Sequence, residues 1–257
     1  MNVFSRKITI PTSLTRIYHT CFYRFAQLLV RIIFGTTVRI RITGREHLPK
    51  SGPYLLICNH ISHFDPGILA AVMWRQMSWV VALDMFAHPV GDFFFTSIDS
   101  IPVDRQESDR KAVREILRRL KQGRAVGIFP EGGIRAGETS ILGGQPLDEN
   151  VGAIAQLGQV PIVPAFVLGT DKLYAKRNWW FRTTLDFRFG PAIPLSTDPA
   201  LDNKAVRRDI TKRAEVAWHQ LAGELRTEFD LQPDDFPKTA QERWAEAARI
   251  EAELKSR

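Results

Sequence analysis

A histidine and an aspartate stand five positions apart in the run Asn59-His60-Ile61-Ser62-His63-Phe64-Asp65. Where a chain turns from a strand into a helix, residues at that spacing can meet. The carboxylate then accepts a hydrogen bond from one ring nitrogen, fixes the tautomer, and leaves the other nitrogen free as a base. Such a base suits deprotonation of an alcohol, help worth about 10² to 10⁴ in rate. No serine or cysteine nucleophile is required, because the attacking oxygen belongs to the substrate. The competing reading of the same residues is a capping aspartate beside a solvated loop histidine.

A second segment with chemical content is Phe129-Pro130-Glu131-Gly132-Gly133-Ile134-Arg135. Two consecutive glycines permit close backbone approach, and exposed N–H groups there can bind an anion. Glu131 adds a charge, and Arg135 adds a planar donor fork suited to phosphate. A glycine-rich turn with a surface arginine is the plainer alternative. Ile101-Pro102-Val103-Asp104-Arg105 puts an Asp-Arg pair at the end of an apolar stretch, and Val160-Pro161-Ile162-Val163-Pro164 is a strand bracketed by prolines. The other histidines, His19, His47, His88 and His219, belong to no such grouping.

The elements that must hold these residues follow from apolar periodicity and its punctuation. Strands are expected at Val38 to Thr43, Tyr54 to Cys58, Trp79 to Leu83, Ala125 to Phe129, Ile162 to Leu168 and Leu185 to Phe189. Helices are expected near Pro66 to Trp74, after Ser108 as N-cap with Gly123 as stop, around Val151 to Gly158, and from Asn203 to about Phe229. Gln232 to Pro237 breaks that last helix, and Thr239 to Lys255 reads as an exposed charged helix. Alternating strands and helices mean an α/β layer structure, with functional residues in the loops after strands.

In this order, the four chemical segments resemble the four sequence blocks of the glycerolipid acyltransferase family, which includes lysophosphatidate acyltransferases. The His-x4-Asp block resembles Asn59 to Asp65, the arginine-bearing block Ile101 to Arg105, the Phe-Pro-Glu-Gly block Phe129 to Gly132, and the Val-Pro-x-x-Pro block Val160 to Pro164. The likeness covers roughly residues 38 to 170 and weakens toward 225. It implies a central mixed sheet flanked by helices, with His60 as general base and Asp65 as its orienting carboxylate. It further implies that Arg105 holds a substrate phosphate, that Glu131, Gly132 and Gly133 shape the acceptor site, and that Pro161 and Pro164 line or brace the acyl pocket. In the third block the family's Thr-Arg-Ser is displaced: Gly133 and Ile134 precede Arg135, so the arginine stands one place later.

The reaction so implied moves a fatty acyl group from acyl-CoA or acyl carrier protein to the free hydroxyl of lysophosphatidic acid, giving phosphatidic acid. The thioester is a co-substrate, and neither a cofactor nor a metal is expected. Other lysophospholipids or glycerol-3-phosphate are alternative acceptors. Rival readings are a hydrolase using Ser62, or a metal at His60, His63 and Asp65, and a non-enzymatic lipid-binding module.

Composition agrees with a membrane-surface setting. The 257 residues are 44% apolar and 25% charged, ordinary for a globular chain, and the net charge of +7 favours anionic partners. Residues 1–45 contain no acid. At helical spacing, Arg16, Thr20, Arg24, Gln27 and Arg31 fall on one side and bulky apolar residues on the other. This is the pattern of a helix lying in the headgroup region with its arginines facing lipid phosphates. Packing on the domain and a cleaved organelle-targeting segment are the alternatives. Lys172, Tyr174, Lys176, Arg177, Trp179 and Trp180 form a basic-aromatic cluster of the kind found at membrane interfaces. The chain thus divides into a membrane-associating segment (1–36), a catalytic domain (37–229) and a charged helical extension (230–257). An anionic membrane's cytoplasmic face, a lysophospholipid and an acyl donor are the expected partners; nucleic acid is not. Cys21 and Cys58 make no framework, which fits a reducing compartment.

Overall fold

The computed structural model describes residues 12–105, 109–179, 182–196, 198, 201–239 and 242. In strand β2 (Leu55–Cys58) every residue is buried, so its two faces build two cores. Leu56 and Cys58 join Met77, Trp79, Val163, Val167 and Phe187 on one side, while Leu55 and Ile57 join Val126, Ile128, Ile162 and Phe166 on the other. The first side is covered by α1 (Thr12–Thr37) and α2 (Asp65–Val72), the second by α4 (Arg110–Lys121), α5 (Asn150–Gly158) and α6 (Asn203–Glu228).

Seven strands lie in the order β1-β7-β6-β2-β5-β3-β4, where β1 is Arg39–Thr43, β3 Met77–Ala82, β4 Ile101–Val103, β5 Ala125–Ile128, β6 Ile162–Leu168 and β7 Thr184–Phe189. All neighbours are parallel except β6 and β7. The expected central mixed sheet with flanking helices is what forms. From β2 the chain moves toward β3 and the β4 edge, returns to β5, and then crosses to β6 on the far side of β2. The C-terminal ends of β5, β2 and β6 thus stand side by side at the reversal, where open α/β sheets place their ligands.

Several elements differ from expectation. Helix α3 (Pro89–Ser97) and strand β4 were not anticipated: α3 is short and apolar on most sides, so it shows no clear helical period, and β4 is three residues long with Pro102 at its centre. Ser108 lies outside the described residues; the cap of α4 is Asp109, whose side chain accepts from the N–H groups of Lys111 and Ala112. Most of the expected helix from Thr239 to Lys255 also lies outside them.

The orientation of α1 is the main correction. Its polar side turns toward the domain, not outward. Gln27 is buried and donates to the carbonyls of Ala70 and Met73, Arg31 donates to Ala71 and Met73, and Arg24 reaches Trp74. These are the carbonyls left open where α2 ends, and side-chain donors satisfy them. Arg24 and Arg31 make these bonds while themselves staying exposed, and Arg16 and Thr20 are exposed as well. Leu14, Ile17, Phe25, Leu28, Leu29 and Ile32 point to solvent, next to exposed Val90 and Phe93 of α3, while Phe22 packs against Phe93 and Phe94. No described helix is long and apolar enough to cross a membrane.

Gly127 of β5 is fixed by packing: a Cβ there would lie 2.4 Å from the Trp79 ring, which stacks on Phe129. Gly127→Ala is expected to lower stability by about 1–3 kcal/mol in urea unfolding, through overpacking.

Candidate active site

Asn59 begins the turn after β2 by imitating a backbone. Its side-chain amide donates to the carbonyl of Val167 at 2.9 Å and accepts from the Val167 N–H at 2.7 Å, extending the β2–β6 pairing past Cys58. The chain then loops through Ile61 and Ser62 into α2, and Asp65, the first residue of that helix, folds back under the loop. Its Oδ2 accepts from the Ile61 N–H (2.7 Å), the Ser62 N–H (2.8 Å) and Nδ1 of His60 (2.9 Å). The expected meeting of His60 and Asp65 therefore occurs. The carboxylate is fully buried, while the His60 side chain keeps 17% exposure. With Nδ1 as the donor to Asp65, Nε2 carries the lone pair, and it has no hydrogen-bond partner among the described residues. Phe129 packs on the imidazole at 4.5 Å between ring centroids, limiting its rotation.

Glu131 comes to the same place by another route. Its Oε2 accepts from the His60 N–H at 2.8 Å, and its Oε1 from the Ile141 N–H at 3.1 Å. It is thus a strut under the histidine, with neither oxygen directed outward. Burial pushes the Glu131 carboxyl above its ordinary range, against the opposing effect of the His60 and Ile141 N–H groups. Gly132 follows with φ of 69°, a left-handed conformation that favours glycine. Arg135 sits just beyond: its N–H donates to the His60 carbonyl at 2.7 Å and its guanidinium is exposed.

Arg105 lies across this turn. Its Nη1 donates to the Gly132 carbonyl at 3.2 Å and is 3.9 Å from where a Cβ on Gly133 would be. Its other terminal nitrogen pairs with Asp84 at 3.1 Å. Both partners are exposed, so the pair is worth about 0–1 kcal/mol and yields easily to a stronger anion. The structure thus gathers His60, Asp65, Arg105, Glu131, Gly132, Gly133 and Arg135.

It does not gather the two prolines. Pro161 precedes β6, and its carbonyl accepts from the Leu55 N–H at the opposite end of the strands. At about 3.3 Å per residue along β2, it stands roughly 15–20 Å from His60. Pro164 is buried beside Ile57 and packs near Gly190. Both brace the sheet. Sequence reasoning also missed participants. Nothing in the sequence sets Asn59 apart from its block or singles out Asp84, and Thr170, whose hydroxyl donates to Oδ1 of Asp65, is 105 residues distant from it. Position at a strand's C-terminal end was the one signal available for Thr170.

The remaining polar groups of the loop are engaged. Ser62 is fully buried, and its Oγ accepts from the Phe64 N–H. His63 turns away to Tyr174, with Nδ1 and its hydroxyl 2.5 Å apart. Burial, and then the charges of Asp65 and Glu131, push the Cys58 thiol well up, leaving it protonated and inert. Of the basic-aromatic cluster, Trp179 packs with Phe34 and Phe64, and Lys172 pairs with Asp235. The side chains of Lys176 and Arg177 lie outside the described residues, as does Trp180.

An open imidazole nitrogen and a cation-bearing glycine turn at adjacent strand ends make an α/β enzyme able to handle a proton and an anion in one place. Comparison with known proteins narrows the class. Residues 39–168 match the family model described as Acyltransferase. The 1-acyl-sn-glycerol-3-phosphate acyltransferase of Bacillus subtilis is 26% identical over 148 residues, 57% of this chain and 71% of the relative. The alpha form of the human enzyme of that name is 27% identical over 214 residues, 78% and 72% of the two chains. The crystal structure of the 1-acyl-sn-glycerophosphate acyltransferase of Thermotoga maritima shares the fold, with a TM-score of 0.57 and 16% identity over 84% of each chain. The chain belongs to the acyltransferase family and is an O-acyltransferase.

Glu131→Gln sets an amide N–H against a backbone N–H. It is expected to cost about 1–3 kcal/mol in urea unfolding and to lower acyl transfer. Because the folded-state pKa of Glu131 is raised, its contribution is full below the ordinary glutamate range and is lost as pH rises through the raised value. The stability gap between wild type and variant should therefore narrow with rising pH.

Proposed function

We propose that the protein transfers a fatty acyl group from an acyl thioester to the free hydroxyl of lysophosphatidic acid, giving phosphatidic acid at a membrane surface. The observation that carries this reading is His60, held by Asp65 through Nδ1 and open at Nε2, beside the Arg105–Gly132–Gly133–Arg135 turn. Nε2 takes the proton of the acceptor hydroxyl as its oxygen attacks the thioester carbonyl. The tetrahedral adduct collapses, the carbon–sulfur bond breaks, and the imidazolium returns the proton to the departing thiolate of coenzyme A or acyl carrier protein. Asp65 orients the ring and stabilises its positive charge. Arg105 and Arg135 bind the acceptor's phosphate, and holding both substrates in register contributes at least as much as the base. The relatives' names support this acceptor. A serine hydrolase is disfavoured by the burial of Ser62 and the engagement of its oxygen.

The membrane reading rests on α1 with the domain behind it. Exposed apolar side chains of α1 and α3 enter the acyl region while the inward polar side keeps the helix on the protein. Phe34 of α1 packs on Phe64, inside the loop that carries His60 and Asp65, and this contact supports a site close to that surface. The assignment of residues 1–36 to membrane association, 37–229 to catalysis and 230–257 to a charged extension follows the same reading, on the cytoplasmic face.

The test is incubation with anionic vesicles, acyl-CoA and a panel of lysolipids, with the product identified by mass. His60→Ala should abolish transfer while vesicle binding persists; near-normal turnover would remove the base assignment. Arg105→Ala should raise KM for the phosphorylated acceptor about tenfold, leaving KM for the thioester unchanged. Replacing Phe25, Leu28 and Ile32 together by serine should release the protein from vesicles in a flotation assay.

A further inference from the structure

We infer that Thr170 is a positioning residue for the His60–Asp65 pair, acting from the end of β6 through Oδ1 of Asp65; this rests on the role proposed for His60. The buried carboxylate has two oxygens with unequal support. Oδ2 accepts from His60 and from two backbone N–H groups, whereas the one donor to Oδ1 among the hydrogen bonds of the described residues is the Thr170 hydroxyl. Thr170 is itself fully buried, so this bond is shielded from water and worth more than it would be at the surface. All four donors are uncharged when His60 is neutral. The charge of Asp65 is therefore held by oriented dipoles, and how strongly it attracts a proton on His60 depends on how many dipoles hold it.

The backbone explains how a residue so distant in sequence reaches the pair. Gly169 adopts φ of 84°, and a Cβ there would lie 2.5 Å from the Thr184 carbonyl. The left-handed turn lets the chain leave β6 close over β7 and bring Thr170 back across β2. Two positions three residues apart, Val167 and Thr170, then hold the two ends of the loop: Val167 holds Asn59, and Thr170 holds Asp65. The fourth sequence block thus contributes through the residues that follow its prolines. Glu131, Cys58 and Arg135 are the ionisable groups coupled to the pair or to Glu131, with Arg105 across the glycine turn and His63 in the same loop, turned toward Tyr174.

Removing the hydroxyl leaves Oδ1 bare, makes the carboxylate a stronger base, and raises the proton affinity of His60. Thr170→Val, in the full chain on vesicles with acyl-CoA and lysophosphatidic acid, should lower kcat about tenfold or more, the rate equivalent of a lost charge-assisted hydrogen bond. KM for either substrate should stay within about twofold. The acidic limb of the kcat/KM profile should move to higher pH, which a merely structural defect would not do. Thr170→Ser should restore kcat and the profile, and Thr170→Ala should repeat the loss if the valine protein does not fold. A wild-type pH profile in the valine or alanine variant, or failure of serine to restore it, overturns the inference. If His60→Ala retains transfer, it is the proposed role of His60 that fails instead; an inactive His60→Ala beside a normal Thr170→Val refutes the role of Thr170 alone.

Discussion

A carboxylate placed wholly out of water must be surrounded by donors, and the arrangement of this domain around Asp65 answers that requirement. Its donors come from the loop after β2 and from the segment after β6, so burying one charge ties together two strand ends. The same charge fixes the tautomer of His60. If Asp65 were solvated, the ring would keep only its packing on Phe129 to orient it, and the loop would lose the anchor for its N–H groups. The strut from Glu131 adds the third strand end, because β5 delivers a second carboxylate to the backbone of His60 itself. Fixing the histidine from β2, β5 and β6 together is what a site at a sheet reversal makes possible.

The helix that precedes the domain shows how a polar stripe can be misassigned in sign. Arginines and a glutamine at helical spacing beside aromatic residues satisfy two arrangements equally well, one with the polar side in water and one with it on protein. What decides is the end of α2. Its last carbonyls need donors, and Gln27 and Arg31 supply them, while Arg24 bonds Trp74 just beyond the helix. Arg45 adds a further bond, to Val72. The apolar side is thereby turned outward, beside the exposed phenylalanines of α3. Since α2 begins at Asp65, the outward-facing helix α1 is braced against the far end of the helix that carries the buried carboxylate.

Much of the fold was legible because local chemistry and global placement agree. Leu55 to Cys58 and Ile162 to Leu168 are unbroken apolar runs, and both are fully buried strands. Asn203 begins a long helix and Phe229 ends it, as the periodicity implies. The elements that escaped are short: α3 is too uniformly apolar to show a helical period, and β4 holds a central proline that locally argues against a strand although tertiary packing tolerates it here.

Residue types and spacing alone determined that an imidazole and a carboxylate could meet at a strand exit, that a glycine turn with an arginine would lie at another, and that the chain would form α/β layers. These depend on neighbours within a few positions, where bond geometry limits the outcomes. Only the tertiary structure decided that Glu131 supports the histidine from beneath, that Arg105 lies across Gly132, that the prolines of β6 brace the far end of the sheet, and that Thr170 completes the shell of Asp65. Each of these is a contact between segments far apart in the chain, set by strand order and register. Neither is written in the spacing of any one segment.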